Sequence, residues 1–156
     1  MNYWDSSAIV PLLVEEERTD RSAALLRGDR DIVTWWLSKV ECASALNRLR
    51  RDDAFSEEQL GESLALLDTL SSGWIEVQPG ARLRATALRL LRVHSLKAAD
   101  AMQLAAAVAI AETDRSMLPF VTYDDRLSRA AQREGFRLAA VQSAPPHTAG
   151  RSAPTP

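Results

Sequence analysis

The sequence is poor in several residue types on which common chemistries depend. Among its 156 residues it holds one cysteine, two histidines and two lysines, Lys39 and Lys97. A lone cysteine forms no intramolecular disulfide, which excludes a disulfide-stapled scaffold and fits a reducing compartment. Cys42 sits among small and apolar residues beside Glu41, with neither the electropositive setting nor the histidine partner that a reactive thiolate needs. His94 ends an arginine-rich stretch and His147 lies in a proline-rich tail, so neither supplies that partner. No basic leader opens the chain, and its most apolar run, Ala98 to Ala111, is broken by Asp100 and Gln103 and is too short to span a bilayer. The expectation is a cytoplasmic protein without a membrane partner.

What is present is a balanced mixture, 46% hydrophobic and 26% charged, with a formal net charge of −2. A domain of this length buries roughly 70% of the surface its unfolded chain exposes, enough for a real core. A protein that grips nucleic acid by bulk positive charge is excluded, because that footprint usually pushes the pI above about 9. Four of the seven prolines fall in residues 143–156, which have almost no large apolar side chains. That segment reads as a flexible tail, leaving residues 1–142 as one domain.

Within the domain, short apolar runs alternate with longer helical patterns. Strands are expected at Asn2–Trp4, Asp31–Trp35, Trp74–Val77, Phe120–Thr122 and Arg137–Val141. Helices are expected at Ala8–Leu13, Arg18–Leu26, from Ser38 to about Arg51, from Ser56 to a stop at Gly73, at Ala81–Val93, at Ala98–Glu112 and at Arg126–Glu134. On the helix Ala81–Val93, the pattern turns Leu83, Ala87, Leu90 and Leu91 inward and the arginines outward. Alternation of this kind predicts an α/β fold with a mostly parallel sheet and helices on its faces.

Four acids stand out by placement: Asp5, Glu41, Asp100 and Asp124. Each has an ordinary structural explanation. Asp5, and Asp124 or Asp125, could cap helices. Glu41 completes a capping-box pattern with Ser38, and Asp100 favours the positive end of its helix. Taken together these explanations account for too little. All four acids fall at helix starts, and Asp5 and Asp124 come directly off strand ends, where open parallel sheets bind ligands. Carboxylates crowded there repel: two unit charges 4 Å apart cost about 4 kcal/mol at an effective dielectric of 20. A hard divalent cation removes that cost, and an all-oxygen donor set suits Mg²⁺ or Mn²⁺. The arginines Arg48, Arg50 and Arg51, and Arg82, Arg84, Arg89 and Arg92, read either as solvated helix faces or as contacts to phosphate. Trp35, Trp36 and Trp74 read as core or dimer packing rather than as stacking platforms.

The motifs also resemble a family. Trp4-Asp5-Ser6-Ser7-Ala8 after a first strand, Glu41 early in the third helix, Leu96-Lys97-Ala98-Ala99-Asp100-Ala101-Met102-Gln103-Leu104-Ala105, and Val121-Thr122-Tyr123-Asp124-Asp125-Arg126-Leu127 are together similar to the PIN-domain ribonucleases, specifically the VapC-type toxins of bacterial toxin–antitoxin pairs. The resemblance covers residues 1 to about 140. It implies an α/β/α sandwich, a homodimer, Mg²⁺-dependent endonucleolytic cleavage of RNA, and a cognate antitoxin that blocks the site. Carried over residue by residue, it makes Asp5 and Asp100 the principal metal ligands, with Glu41 and Asp124 completing an acidic quartet and Ser7 and Thr122 as supporting polar groups. The Thr-x-Asp spacing favours Asp124 over Asp125, and the number of metal ions stays open. Rival readings are a PIN-type nuclease acting on DNA or structured nucleic acid, an inert antitoxin-binding module, and a receiver-type phosphoacceptor. The last wants paired acids after the first strand, where Asp5 stands alone.

Overall fold

The computed structural model describes residues 1–111 and 115–139. Four strands, β1 (Asn2–Trp4), β2 (Ile32–Trp35), β3 (Ile75–Val77) and β4 (Phe120–Val121), form one all-parallel sheet in the order β3-β2-β1-β4. Among the described residues seven α-helices flank the sheet, six between strands and the last after β4: α1 (Ser6–Ile9), α2 (Thr19–Gly28), α3 (Ser38–Arg51), α4 (Glu57–Ser71), α5 (Ala81–Val93), α6 (Ala98–Ile110) and α7 (Asp125–Arg133).

Side-chain alternation along the strands divides the core in two. Tyr3, Val33, Trp35 and Phe120 face one way and pack with Leu83, Leu90, Leu104 and Leu127 from α5, α6 and α7. Trp4, Ile32 and Val121 face the other way, against Ile9, Cys42, Leu46 and Leu67 from α1, α3 and α4. Because successive strand residues point to opposite faces, a sheet buried on both sides needs nearly continuous apolar strands, and β1, β2 and β4 supply them. The result is the expected three-layer α/β/α sandwich.

Local signals explain the boundaries. Ser56 and Gln59 form a reciprocal capping box at the start of α4. The C-terminus of α7 closes on Gly135, at φ +93°, with its N–H on the Gln132 carbonyl and the Phe136 N–H on the Ala131 carbonyl, both 3.0 Å. That pairing is a Schellman cap, which needs a left-handed residue.

Several expectations shift. The first helix begins at Ser6 and tightens into a 3₁₀ turn at Val10–Leu12, because Pro11 has no N–H to continue an α-helical ladder. Leu91, expected inward, is 39% exposed; it follows Leu90 by one residue, a 100° step that takes it off the buried stripe of Leu83, Ala87 and Leu90. The strand expected over residues 137–141 is reduced, among the described residues, to a single parallel bridge between Leu138 and Phe120. Residues 140–141 and the tail at 143–156 lie outside the described residues. No described helix is long and apolar enough to cross a membrane.

Candidate metal-binding active site

The strand order creates the site. From β1 the chain steps outward to β2 and β3, then returns to place β4 on the other side of β1. The direction of winding therefore reverses between β1 and β4, and a crevice opens at their carboxyl ends. Asp5 leaves β1 there and Thr122 leaves β4.

Asp5 is 5% exposed and caps α1. Its Oδ2 accepts three hydrogen bonds: from the Ser7 N–H at 3.2 Å, from the Ser7 hydroxyl, and from the Thr122 hydroxyl at 2.9 Å. Each hydroxyl is held in turn by the chain leaving β4, since the Tyr123 N–H donates to Ser7 Oγ at 2.9 Å and the Asp124 N–H to Thr122 Oγ1 at 3.1 Å. Ser7 and Thr122 thus fix Asp5 across the crevice. Among the described residues, the one hydrogen bond to Oδ1 comes from the Ser6 hydroxyl at 3.5 Å.

Glu41 lies in the first turn of α3 but forms no capping box: the N-cap is Leu37, without a side-chain bond. Ser38 is instead buried, its hydroxyl 2.6 Å from that of Thr34, so it is unavailable as a cap. The Glu41 carboxylate turns toward Gln103, whose Nε2 donates to Oε2 at 2.6 Å. Gln103 is fully enclosed; its amide also donates to Ser38 Oγ at 3.0 Å, and its Oε1 accepts from the Tyr3 phenol at 2.7 Å. In the sequence Gln103 is only a polar interruption of an apolar helix. Its place, one turn beyond Asp100 on the same helix face, is the signal that marks it.

Asp100 stands in the first turn of α6, where its Oδ2 accepts the Lys97 N–H at 3.2 Å. Asp5, Glu41 and Asp100 line one cleft of about 610 Å³, together with Ser6, Ser7, Gln103, Arg18 and Arg48. Asp124 is not in that lining. It caps α7, with Oδ1 accepting the N–H groups of Arg126 and Leu127 at 2.8 Å each. Of the seven arginines weighed as phosphate contacts, only Arg48 reaches the cleft. Arg50 pairs with Asp53 and Glu57, and Arg89 with Glu134. Trp35 is core, whereas Trp36 is 46% exposed.

The electrostatics are unbalanced. Burial pushes the Asp5 carboxyl above the usual range, Asp100 adds to the push, and the Ser7 and Thr122 bonds oppose it. Burial likewise raises Glu41, Gln103 and Ser6 counter it, and Asp5 and Asp100 reinforce it. Tyr3 is raised mainly by burial, with further contributions from Asp5 and Glu41, so its phenol stays protonated and donates to Gln103. No arginine or lysine forms an ion pair with Asp5, Glu41 or Asp100 among the described residues. Such a set fits a hard divalent cation, which would supply the missing positive charge. Among the described residues no three carboxylate, imidazole or thiolate groups converge closely enough to ligate one ion directly. The fit is therefore to an ion that keeps several waters and takes one or two direct carboxylate ligands, as Mg²⁺ does.

Comparison with known proteins agrees with this architecture. The chain is 29% identical over 143 residues to Ribonuclease VapC45 and to Ribonuclease VapC49 of Mycobacterium tuberculosis, an overlap of 92% of this chain and 97% of each relative. In fold it is similar to PAE2754 from Pyrobaculum aerophilum, with a TM-score of 0.59, 19% identity, and coverage of 83% of this chain and 84% of the other. It is also similar to FitAcB from Neisseria gonorrhoeae, with a TM-score of 0.57, 16% identity, and coverage of 85% and 94%. The PIN domain family model matches residues 3–133, and with the parallel sheet and the acidic crevice at its winding reversal already in place, the chain belongs to the PIN-domain family.

Proposed function

We propose that this protein is a Mg²⁺-dependent endoribonuclease, with Mn²⁺ as a substitute ion, and the toxin of a toxin–antitoxin pair. The observation that carries the chemistry is the cleft shared by Asp5, Glu41 and Asp100, three carboxylates that form no ion pair with any described arginine or lysine. The two ribonuclease relatives, similar over nearly their whole length, support RNA as the substrate. The VapC-type resemblance supports a cognate antitoxin, a homodimer and a cytoplasmic setting.

When bound, the ion lowers the pKa of a coordinated water and neutralises charge on the scissile phosphate. The chain's own groups do the rest. Asp5, steadied by Ser7 and Thr122, would hold the ion through Oδ1, with Asp100 as a second ligand from the same cleft. Glu41, aimed by Gln103, accepts a proton from the attacking water. Asp124 would complete the quartet from the start of α7, where its Oδ1 holds the helix. The helix N-termini that carry these acids favour the phosphate once the acids themselves are neutralised.

The test is cleavage of end-labelled single-stranded RNA by the purified protein, with Mg²⁺ and with EDTA, and with DNA of the same sequence alongside. The proposal expects RNA fragments only with the metal. Metal-independent cleavage, or cleavage of DNA alone, would contradict it.

A further inference from the structure

Beside the carboxylate cleft lies a smaller one of about 270 Å³, lined by Arg18, Arg21, Thr122, Tyr123, Asp125 and Ser128 among others. Arg18 also lines the carboxylate cleft, so the two share a wall. Both guanidinium groups sit over one ring: the Cζ of Arg18 is 4.9 Å and that of Arg21 5.6 Å from the Tyr123 centroid. The ring is fixed from both ends. Its hydroxyl is 2.9 Å from Ser22 Oγ, which donates to the Ala8 carbonyl at 3.0 Å, and its backbone N–H donates to Ser7, the serine that holds Asp5.

Two cations gathered on one ring repel each other, and the ring's attraction for each is modest at an exposed site. Three arginines elsewhere in the molecule are balanced by carboxylates, Arg50 by Asp53 and Glu57, and Arg89 and Arg115 by Glu134. Arg18 and Arg21 form no ion pair with any described residue, not even with Asp125 in the same cleft. An aromatic platform that orients two unpaired guanidinium forks beside a nuclease cleft is a device for binding an anion with planar, multidentate donors.

We propose that Arg18 and Arg21, oriented by Tyr123, form a subsite for one backbone phosphate of a single-stranded RNA, flanking the scissile bond. This subsite rests on the nuclease reading above and extends it: the strand leaves the acidic cleft across Arg18 and is held by a phosphate that is not the one cleaved.

The experiment measures binding of a short, mixed-sequence, fluorescein-labelled single-stranded RNA by anisotropy in EDTA over a series of salt concentrations, together with KM and kcat in Mg²⁺. Loss of one phosphate contact lowers the slope of log K against log salt by about 0.7 for a single strand. The double variant Arg18→Ala/Arg21→Ala is expected to show that loss, with KM raised about tenfold and kcat nearly unchanged. Arg18→Lys/Arg21→Lys, which keeps the charge, is expected to restore most of the slope, and Arg82→Ala/Arg84→Ala on α5 to leave it at the wild-type value. An unchanged slope and KM in the double alanine variant of an active protein overturns the subsite and leaves the nuclease reading standing. So does a fall in kcat alone. A wild-type protein that neither binds nor cleaves RNA overturns both.

Discussion

The side-chain amide of Gln103 stands 2.6 Å from Glu41 Oε2 while its carbonyl accepts the Tyr3 phenol on the opposite side. The two contacts fix which way the amide points, because an ionised carboxylate only accepts hydrogen bonds. A residue of the sheet thereby aims a carboxylate of α3 through a residue of α6. Replacing Gln103 with Met keeps the volume but removes the donor. The expected result is a 10–100-fold loss in metal affinity or cleavage, in the range seen when groups behind a metal ligand are removed. Stability should fall by roughly 1–3 kcal/mol, since the Tyr3 hydroxyl is left buried without an acceptor. Adding Tyr3→Phe should recover part of the stability and none of the metal affinity; Mn²⁺ titration and urea unfolding separate the two.

That relationship also marks how far the sequence is legible. The parallel α/β architecture could be read from the alternation of short apolar runs such as Ile32–Trp35 with helical patterns, and the acids from their positions at helix starts. Glu41 was ambiguous, because Ser38-x-x-Glu41 is a local capping pattern; only burial of Ser38 against Thr34 and Gln103 decides against it. Tyr3, Ser38 and Gln103 are distant in sequence, so no local periodicity announces their contact. The same holds for Arg18 and Arg21 at the start of α2, which no local pattern ties to Tyr123 beyond the end of β4. Asp124 illustrates the opposite case: the capping role expected from its position is met, and its part in catalysis is a matter for substitution.

Glu134 binds Arg89 at 2.8 Å, His94 at 2.9 Å and Arg115 at 2.9 Å. Arg89 first, then His94 and Arg115, hold its carboxyl down from 4.5 to about 2. A depressed carboxyl contributes stability that is complete above the unfolded value and is lost as pH falls through the folded one. Glu134→Gln should therefore cost about 2 kcal/mol at neutral pH, as for hydrogen bonds to a charged group. It should also flatten the decline in stability between pH 4.5 and about 2. Urea unfolding across that range is the check.

Gly135 holds φ +93° at the cap of α7, delivering Phe136 to within 5.7 Å of Phe120, which stacks on Tyr3 at 5.0 Å. Gly135→Ala should destabilise by about 1–2 kcal/mol through backbone strain alone, since the nearest atom to an added Cβ is 4.0 Å away. Thermal unfolding should show the loss, with metal affinity unaltered in the folded protein.

Mg²⁺ or Mn²⁺ should raise the melting temperature by linkage, with a stabilisation of about 2.7 kcal/mol at one hundred times Kd. The increment should shrink in Asp5→Asn and in Asp100→Asn. An equal increment in Asp5→Asn/Asp100→Asn would place the ion elsewhere.

The most direct measurement compares purified wild-type protein with Asp100→Asn, shown to be folded by thermal unfolding, for Mg²⁺-dependent cleavage of single-stranded RNA. The account predicts metal-dependent cleavage by the wild type and its loss by several orders of magnitude in the variant. Undiminished cleavage by folded Asp100→Asn would contradict the assignment of the cleft as the active site.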